Sequence, residues 1–195
     1  MKAHFYIIVD VSGSMNEMGK IHLQRNLCRY VAQLRLIEQE KYSDIDIHFY
    51  QWAQNISEVA LQNDRDIPSL NAEGSSSLNV LLDFLVEELK HANELKILVL
   101  SDGNFYRDEY KQFLEWKEQP NKVLIRTVAV GADGDLLKLK KISTNNTVYL
   151  SENISTAIDN TIFGSDEPLT APESTAQILQ SAPAETKEPE EDWDA

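Results

Sequence analysis

The amino-acid sequence predicts an α/β fold: a Rossmann-like, doubly wound sheet of six mainly parallel strands, with one antiparallel edge strand and helices on both faces. Two observations lead to this prediction. Short apolar runs alternate with segments of helical periodicity, and strands joined through helices form right-handed crossovers in a parallel sheet. Only residues 53–55 separate two neighbouring strand-like runs, and a connection this short favours an antiparallel hairpin.

Each element follows from a local pattern. Residues 4–9 (HFYIIV) form an apolar, β-branched run ending at Asp10, as expected of a buried strand. Residues 17–41 carry apolar side chains at helical spacing and contain no proline, which predicts a long amphipathic helix. The same criteria predict, in order, strands 45–52 and 57–61, helix 78–89, strand 95–100, helix 108–118, strand 123–130, helix 135–142, strand 147–150 and helix 154–162.

The acidity is concentrated at the carboxyl end. The chain has a formal net charge of −14. Residues 164–195 contain nine acidic residues and one basic residue, and four of the six prolines, so −8 belongs to this segment and −6 to the rest. Such a composition cannot bury enough apolar surface to offset chain entropy. We therefore expect one domain over residues 1–163 and an acidic, disordered tail over 164–195.

Composition also excludes several classes of function. An acidic chain lacks the basic face that binds nucleic acid. A single cysteine, Cys28, rules out an internal disulfide framework and a cysteine-based zinc cage. No apolar run approaches the roughly 20 residues that span a membrane, and the first residues do not resemble a signal peptide. We expect a cytoplasmic protein that binds neither nucleic acid nor membranes.

The clearest chemical motif is Asp10-Val11-Ser12-Gly13-Ser14, directly after the first predicted strand. Asp10, Ser12 and Ser14 alternate, so their side chains can converge on one point in an extended loop. Three oxygen donors, one of them anionic, suit a hard cation such as Mg²⁺ or Mn²⁺. The alternative is a strand-to-helix turn in which Ser12 or Ser14 caps the next helix.

Two further polar segments belong to the same edge of the predicted sheet. Gly74-Ser75-Ser76-Ser77-Leu78 opens the 78–89 helix, and Asp102-Gly103 follows strand 95–100. In doubly wound folds, ligands bind at the carboxyl ends of the strands. Together with Asp10, these segments supply two carboxylates and several hydroxyls.

These three segments resemble the metal-ion-dependent adhesion site (MIDAS) of von Willebrand factor A (vWA) domains. That family has D-x-S-x-S after the first strand, a threonine in a later loop that often reads G-G-T-x-L, and an aspartate-glycine pair after a central strand. Asp10, Ser12, Ser14 and Asp102 match it, and Ser76 stands at the threonine position. Serine in place of threonine leaves open whether Ser75, Ser76 or Ser77 is the ligand.

The resemblance implies a non-enzymatic protein-binding module. In the family, these residues hold Mg²⁺, and a glutamate or aspartate of a partner protein fills an outward coordination position; Mn²⁺ or Ca²⁺ are alternative ions. Small members of this kind accompany AAA+ ATPases, or a kinase and phosphatase, as recruiting subunits. The residues expected to contact the partner are those around the ligand loops: Met15, Asn16, Ser75, Ser77, Asn104, Phe105, Tyr106 and Arg107.

For two groups of these loop residues, a structural role competes with a functional one. Phe105 or Tyr106 can equally pack beneath the loop, because aromatic side chains bury wherever they can. Asp133 and Asp135 lie on the same predicted face. A helix cap at Asp135 is favoured over a second metal site.

Two other classes of function compete with the interaction module. A Mg²⁺-dependent phosphoryl-transfer enzyme would use Asp10 as nucleophile, but that chemistry needs a second acid at position 12, where Ser12 stands, and a lysine near the metal, for which no matching motif is present. A structural subunit would use the fold without a metal.

Overall fold

The computed structural model describes residues 3–63 and 65–164, with the side chain of Arg107 left out, and it contains a six-stranded sheet ordered β3-β2-β1-β4-β5-β6. The strands are β1 (Ala3–Asp10), β2 (Ile45–Trp52), β3 (Ile56–Glu58), β4 (Leu95–Ser101), β5 (Val123–Ala129) and β6 (Val148–Leu150). All neighbouring pairs are parallel except β2–β3, which is antiparallel and places β3 at the edge. The predicted sheet is confirmed.

Helices cover both faces of the sheet. They are α1 (Lys20–Ile37), α2 (Leu78–Glu88), α3 (Tyr110–Lys117), α4 (Leu136–Ile142) and α5 (Ile154–Ile162). Helices α1 and α5 pack on one face, in a core that includes Ile7 and Val9, while α2, α3 and α4 pack on the other, with Ile8. Successive side chains of a strand point to opposite faces, so an uninterrupted apolar β1 serves both cores.

The strand order makes a topological switch point beside β1. Strand β1 connects outward to β2 on one side, whereas its other neighbour, β4, begins the run toward β6 on the opposite side. At such a topological switch point the loops leave in opposite directions and open a space at the carboxyl ends of the two central strands. Asp10 ends β1 and Ser101 ends β4, so the polar segments after both strands meet there.

Helix α1 begins three residues later than predicted. Glu17 and Met18 have non-helical backbone angles, with φ +50° at Met18, and Gly19 is left-handed at φ +73°. Glycine tolerates this conformation without steric cost. The irregular segment makes Lys20 the first residue of α1, which matters for the site described below.

The other predicted boundaries agree with the structure to within four residues, and those of β2 and α5 match it at both ends. The predicted strand 57–61 is shortened to β3, because pairing with β2 ends at Glu58 opposite Tyr50. No helix in the described ranges is both long and apolar enough to cross a membrane. The acidic segment predicted to be disordered, apart from Gly164, lies outside the described residues.

Candidate metal site

Asp10 is the centre of a hydrogen-bonded cluster at the switch point. Its carboxylate is fully buried and accepts hydrogen bonds from the Ser12 backbone N–H at 2.9 Å and the Ser76 hydroxyl at 2.7 Å, both on Oδ1. The Ser101 hydroxyl donates to Oδ2 at 2.5 Å. Three loops that are distant in sequence therefore converge on one carboxylate.

Burial and hydrogen bonding act on Asp10 in opposite directions. Loss of solvation raises the pKa of its carboxyl, while the hydrogen bonds from Ser101, Ser12 and Ser76 lower it, and the net pKa is raised above 3.8. An ionised carboxylate at this position is thus under-compensated by its neutral donors. A cation beside it would offset the remaining cost.

Ser12 and Ser14 stand together at the mouth of the cluster. Their hydroxyl oxygens are 3.1 Å apart; Ser12 is buried and Ser14 is half-buried. The side chain of Ser12 makes no capping hydrogen bond to the helical turn at 13–19. The alternative in which Ser12 caps that helix is therefore not observed.

Two serines of the loop at 74–78 have different hydrogen-bond partners. Ser76 is fully buried and donates to Asp10, whereas the Ser77 hydroxyl caps α2 by accepting from the Val80 N–H at 3.3 Å. The loop is held beside the first motif by a hydrogen bond from Gly13 N–H to the Gly74 carbonyl at 2.9 Å. The geometry thus favours Ser76 among the three serines that the sequence left open.

Asp102 lies beside the cluster and is tied to a lysine. Its Oδ1 accepts from the Asn104 N–H at 3.0 Å, and its Oδ2 accepts from Lys20 Nζ at 2.8 Å. Lys20 Nζ also donates to Asp133 Oδ2 at 2.8 Å. No sequence motif indicated a lysine here, yet Lys20 reaches Asp102 across 82 residues of sequence.

The ion pairs keep the Lys20 ammonium and its partner Asp133 charged. Burial alone would lower the pKa of Lys20, but its hydrogen bonds to Asp102 and Asp133 outweigh that effect and raise it. The same lysine lowers the pKa of Asp133. Lys20 and Asp133 are therefore both ionised at neutral pH.

Comparison with solved structures supports the same fold. A vWA2 protein of Sulfolobus acidocaldarius, a paralog of ArnB, superposes with a TM-score of 0.57 at 18% identity, covering 83% of this chain and 46% of the other. A von Willebrand factor type A protein from Catenulispora acidiphila gives 0.57 at 12% identity, with 85% and 42% covered. Proximal thread matrix protein 1 of the mussel byssus, with a zinc-occupied MIDAS motif, gives 0.56 at 12%, with 85% and 45% covered.

The fold is that of a vWA domain. The chain spans less than half of the length of each of these three structures. No family model matches the sequence, and no curated protein matches it. At these identities, the likeness establishes the fold alone.

The donor set of the candidate site fits a hard divalent cation. Asp10, Ser12, Ser14, Ser76 and Asp102 present oxygen atoms only, the chemistry that Mg²⁺ prefers. Neighbouring ligands on an octahedral Mg²⁺, with bonds of about 2.1 Å, lie about 3.0 Å apart. The Ser12 and Ser14 hydroxyls, which are hydrogen-bonded to each other at 3.1 Å, are spaced close to that value. A hydroxyl that donates its proton to Asp10, as that of Ser76 does, keeps its lone pairs for a cation.

The candidate site contains few acidic side chains. Within the described residues no three His, Cys, Asp or Glu side chains form a group suited to a metal. Three of the five oxygen donors of the candidate site are hydroxyls, so it does not form a cluster of acidic or imidazole side chains.

Two residues expected to contact a partner are buried. Met15 is fully buried against the α1 face of the sheet, and Phe105 is 4% exposed, with its ring 5.4 Å from that of Trp52. Both side chains complete the core beneath the ligand loops, so the expectation of a partner contact is corrected at these positions.

The remaining rim residues lie at or near the surface. Tyr106 is 59% exposed, Asn104 and Asn16 are exposed, and Ser75 and Ser77 are half-buried. The Asn16 side chain donates to the Ala72 carbonyl at 2.6 Å, which ties the first motif to the segment before the serine loop. The side chain of Arg107 lies outside the described part of the chain.

Asp135 caps α4 by accepting from Lys138 N–H at 3.0 Å, and this confirms the predicted cap.

The structure also contains supporting residues that sequence reasoning missed. Ser101 bridges Asp10 to the Gly103 N–H, which donates to its hydroxyl at 3.0 Å. Glu109 accepts from the first backbone N–H groups of α2, at 2.5 Å from Leu78 N and 3.3 Å from Asn79 N. A carboxylate at a helix N-terminus is stabilised by the exposed N–H groups and the helix dipole. It anchors the end of the serine loop.

Proposed function

We propose that this chain is a protein-interaction module in which Asp10, Ser12, Ser14, Ser76 and Asp102 hold a Mg²⁺ ion, and that an aspartate or glutamate of a partner protein binds at that ion. The observation that carries the proposal is the convergence of Ser12, Ser76 and Ser101 on the buried Asp10. The cluster reaches the surface at Ser14.

The chemistry of the donors suits capture of a carboxylate. Hydroxyl ligands carry no charge, so they leave the charge of a cation undiminished, and Asp102 already shares its own charge with Lys20. A bound Mg²⁺ supplies Lewis acidity toward an oxygen anion. The chain's own residues orient the site, since Ser101 and the Gly13–Gly74 hydrogen bond hold the three loops together.

Phosphoryl transfer is the weaker alternative, although Lys20 supplies the lysine that it requires. A nucleophilic Asp10 must reach a bulky phosphoryl group, whereas Asp10 is 0% exposed and both its oxygens accept hydrogen bonds, which leaves second lone pairs for a small cation only. Position 12 also carries a serine rather than a second acid. A metal-independent structural role leaves the buried Asp10 without a counter-charge among its direct donors, and this disfavours that reading.

We further propose that the module serves as the recruiting subunit of a cytoplasmic multiprotein system, with an AAA+ ATPase or a kinase and phosphatase as its partners. This step rests on the family resemblance. Mn²⁺ or Ca²⁺ can replace Mg²⁺ on the same oxygen donors.

Affinity purification from the native organism tests the proposal. The full chain serves as bait in Mg²⁺, in EDTA, and as the Asp10→Ala variant, and mass spectrometry identifies the bound proteins. We expect at least one protein that is retained in Mg²⁺ and lost in the other two samples. Asp135→Asn is the matched control, because it removes a carboxylate from the same rim while asparagine still caps α4. A set of bound proteins that is identical in all samples would refute the proposal.

A further inference from the structure

Lys20 is an unusual residue for the start of a helix. It is the first residue of α1, its side chain is 2% exposed, and the positive end of the helix dipole lies at the same place. Both burial and the dipole disfavour an ammonium group there. The residue is accommodated because Asp102 and Asp133 each accept one of its hydrogen bonds at 2.8 Å.

The backbone near Lys20 leaves space for its side chain. Gly131 has φ +92°, and a Cβ atom added there would lie 2.6 Å from Lys20 Cδ and 2.8 Å from Lys20 Cγ. The same atom would lie 2.8 Å from Asp133 Oδ1. Glycine at this position therefore leaves room for the lysine stem and for the carboxylate that receives it.

Lys20 reduces the negative charge that the Asp102 carboxylate can present to a metal ion. Both oxygens of Asp102 already accept a hydrogen bond, one from the Asn104 N–H and one from the ammonium. Each oxygen keeps a second lone pair, so coordination is not blocked. The negative charge of the carboxylate, however, is shared with a cation that cannot leave, because its side chain is enclosed.

We propose that Lys20 is a positioning residue that acts as a fixed internal cation: it weakens binding of the divalent ion and preserves the positive charge that the ion presents to an incoming carboxylate. This inference rests on the proposed metal site. With a divalent ion bound, the formal charges of Asp10, Asp102, Asp133, Lys20 and the ion cancel. Without the lysine charge they would leave one negative charge, which repels a carboxylate.

The test measures Mn²⁺ affinity of the full chain by electron paramagnetic resonance of the free ion. Lys20→Gln keeps a hydrogen-bond donor, and Lys20→Met keeps an unbranched apolar stem; both remove the charge. We expect Mn²⁺ to bind at least about tenfold more tightly to both variants, because the cation that is paired with the proposed ligand Asp102 is lost. Lys138→Met is the matched control and should change the affinity by less than about twofold, since Lys138 is partly exposed and pairs loosely with Asp135 at 3.7 Å.

A second readout separates this role from a purely structural one. Acetate is titrated into the Mn²⁺-saturated protein, and its binding is followed through the relaxation rate of water protons. We expect acetate to bind several-fold more weakly to the Lys20 variants than to the wild type, although Mn²⁺ binds more tightly. Unchanged or weaker Mn²⁺ affinity in a folded Lys20 variant would overturn the inference.

If neither Lys20 variant folds, Asp133→Asn decides the question. The ammonium is then left to Asp102 alone, so Mn²⁺ affinity should fall by at least about tenfold, and by more than in Asp135→Asn. An equal effect of the two variants would overturn the inference. A folded wild-type chain that binds no Mn²⁺ would instead contradict the proposed metal site itself, and the two failures are thus distinguishable.

Discussion

Two basic residues of helix α1 bind carboxylates in contrasting surroundings. Arg29 forms a two-pronged ion pair with Asp66, at 2.5 and 3.0 Å, where both side chains are more than a third exposed. Lys20 pairs with Asp102 at 2.8 Å where both are almost fully buried. Exposed pairs contribute little to stability, because water solvates the separated charges well. A buried pair depends strongly on each partner.

The difference indicates where function lies. The Arg29 pair joins α1 to the loop before α2 and faces solvent. The Lys20 pair is enclosed at the switch point, next to Ser101 and Asp10. Charges are retained in such a place despite their desolvation cost, and perturbed groups in a crevice are candidates for function. Four substitutions test this contrast, in order of decreasing expected effect.

Asp102→Ala should have the largest effect. It leaves the Lys20 ammonium buried with Asp133 as its remaining partner, so we expect the free energy of unfolding to fall by about 3 kcal/mol. Binding of Mg²⁺ should be lost. Urea denaturation and calorimetric titration measure the two effects, and a stability equal to that of the wild type would show that the buried pair is not as critical as its burial suggests.

Asp10→Asn should act in the opposite direction on the metal-free chain. Burial raises the pKa of Asp10 in the folded state, so the folded chain binds that proton more tightly than the unfolded chain does. The carboxyl's contribution is therefore most favourable at low pH and is lost as pH rises through the raised pKa. We expect Asp10→Asn to gain about 1 kcal/mol over the wild type in EDTA at neutral pH.

This gain should shrink as the pH is lowered toward 3.8, where the wild-type carboxyl is protonated as well. Thermal unfolding of both proteins across this pH range provides the measurement. Added Mg²⁺ should stabilise only the wild type. A gain that does not depend on pH would mean that packing, rather than ionisation, distinguishes the two side chains.

Glu109→Ala removes a carboxylate that is held by a helix end instead of a cation. The N–H groups of Leu78 and Asn79 lose their acceptor, and we expect a loss of about 1 kcal/mol in the free energy of unfolding. Mg²⁺ affinity should fall only a few-fold, because Ser77 still caps α2. Abolition of Mg²⁺ binding would instead assign Glu109 a direct part in the site.

Arg29→Ala should have the smallest effect. Its pairing with Asp66 is exposed, so the melting temperature should change by no more than about 2 °C, and Mg²⁺ affinity should stay the same. Differential scanning calorimetry in low salt would detect a larger change. Such a change would erase the contrast between the two ion pairs of α1.

The sequence predicts much of the fold because its signals are local. The apolar run before Asp10, the short turn at 53–55 and the periodicity of residues 78–89 are readable without any long-range information. The start of α1 is less predictable, since Glu17 and Met18 are compatible with a helix and depart from it for reasons beyond their own propensity.

The residues of the candidate site differ in the same way, since some follow from local sequence signals and others depend on long-range contacts. Asp10, Ser12, Ser14 and Asp102 follow from a spaced motif, and Ser76 follows once its loop is placed beside them. Lys20 is unpredictable, because its partners lie 82 and 113 residues away and a lysine early in a helix ordinarily faces solvent. Met15 and Phe105 show the converse, because loop position suggests exposure while their apolar side chains fill the core.

The most direct test of the central claim is isothermal titration of Mg²⁺ into the full chain at neutral pH, for the wild type and for Asp10→Asn. We expect one ion bound per wild-type chain and none bound to the variant, with both proteins folded by circular dichroism. A folded wild-type chain that binds no Mg²⁺, or a variant that binds it equally well, would contradict a metal site centred on Asp10.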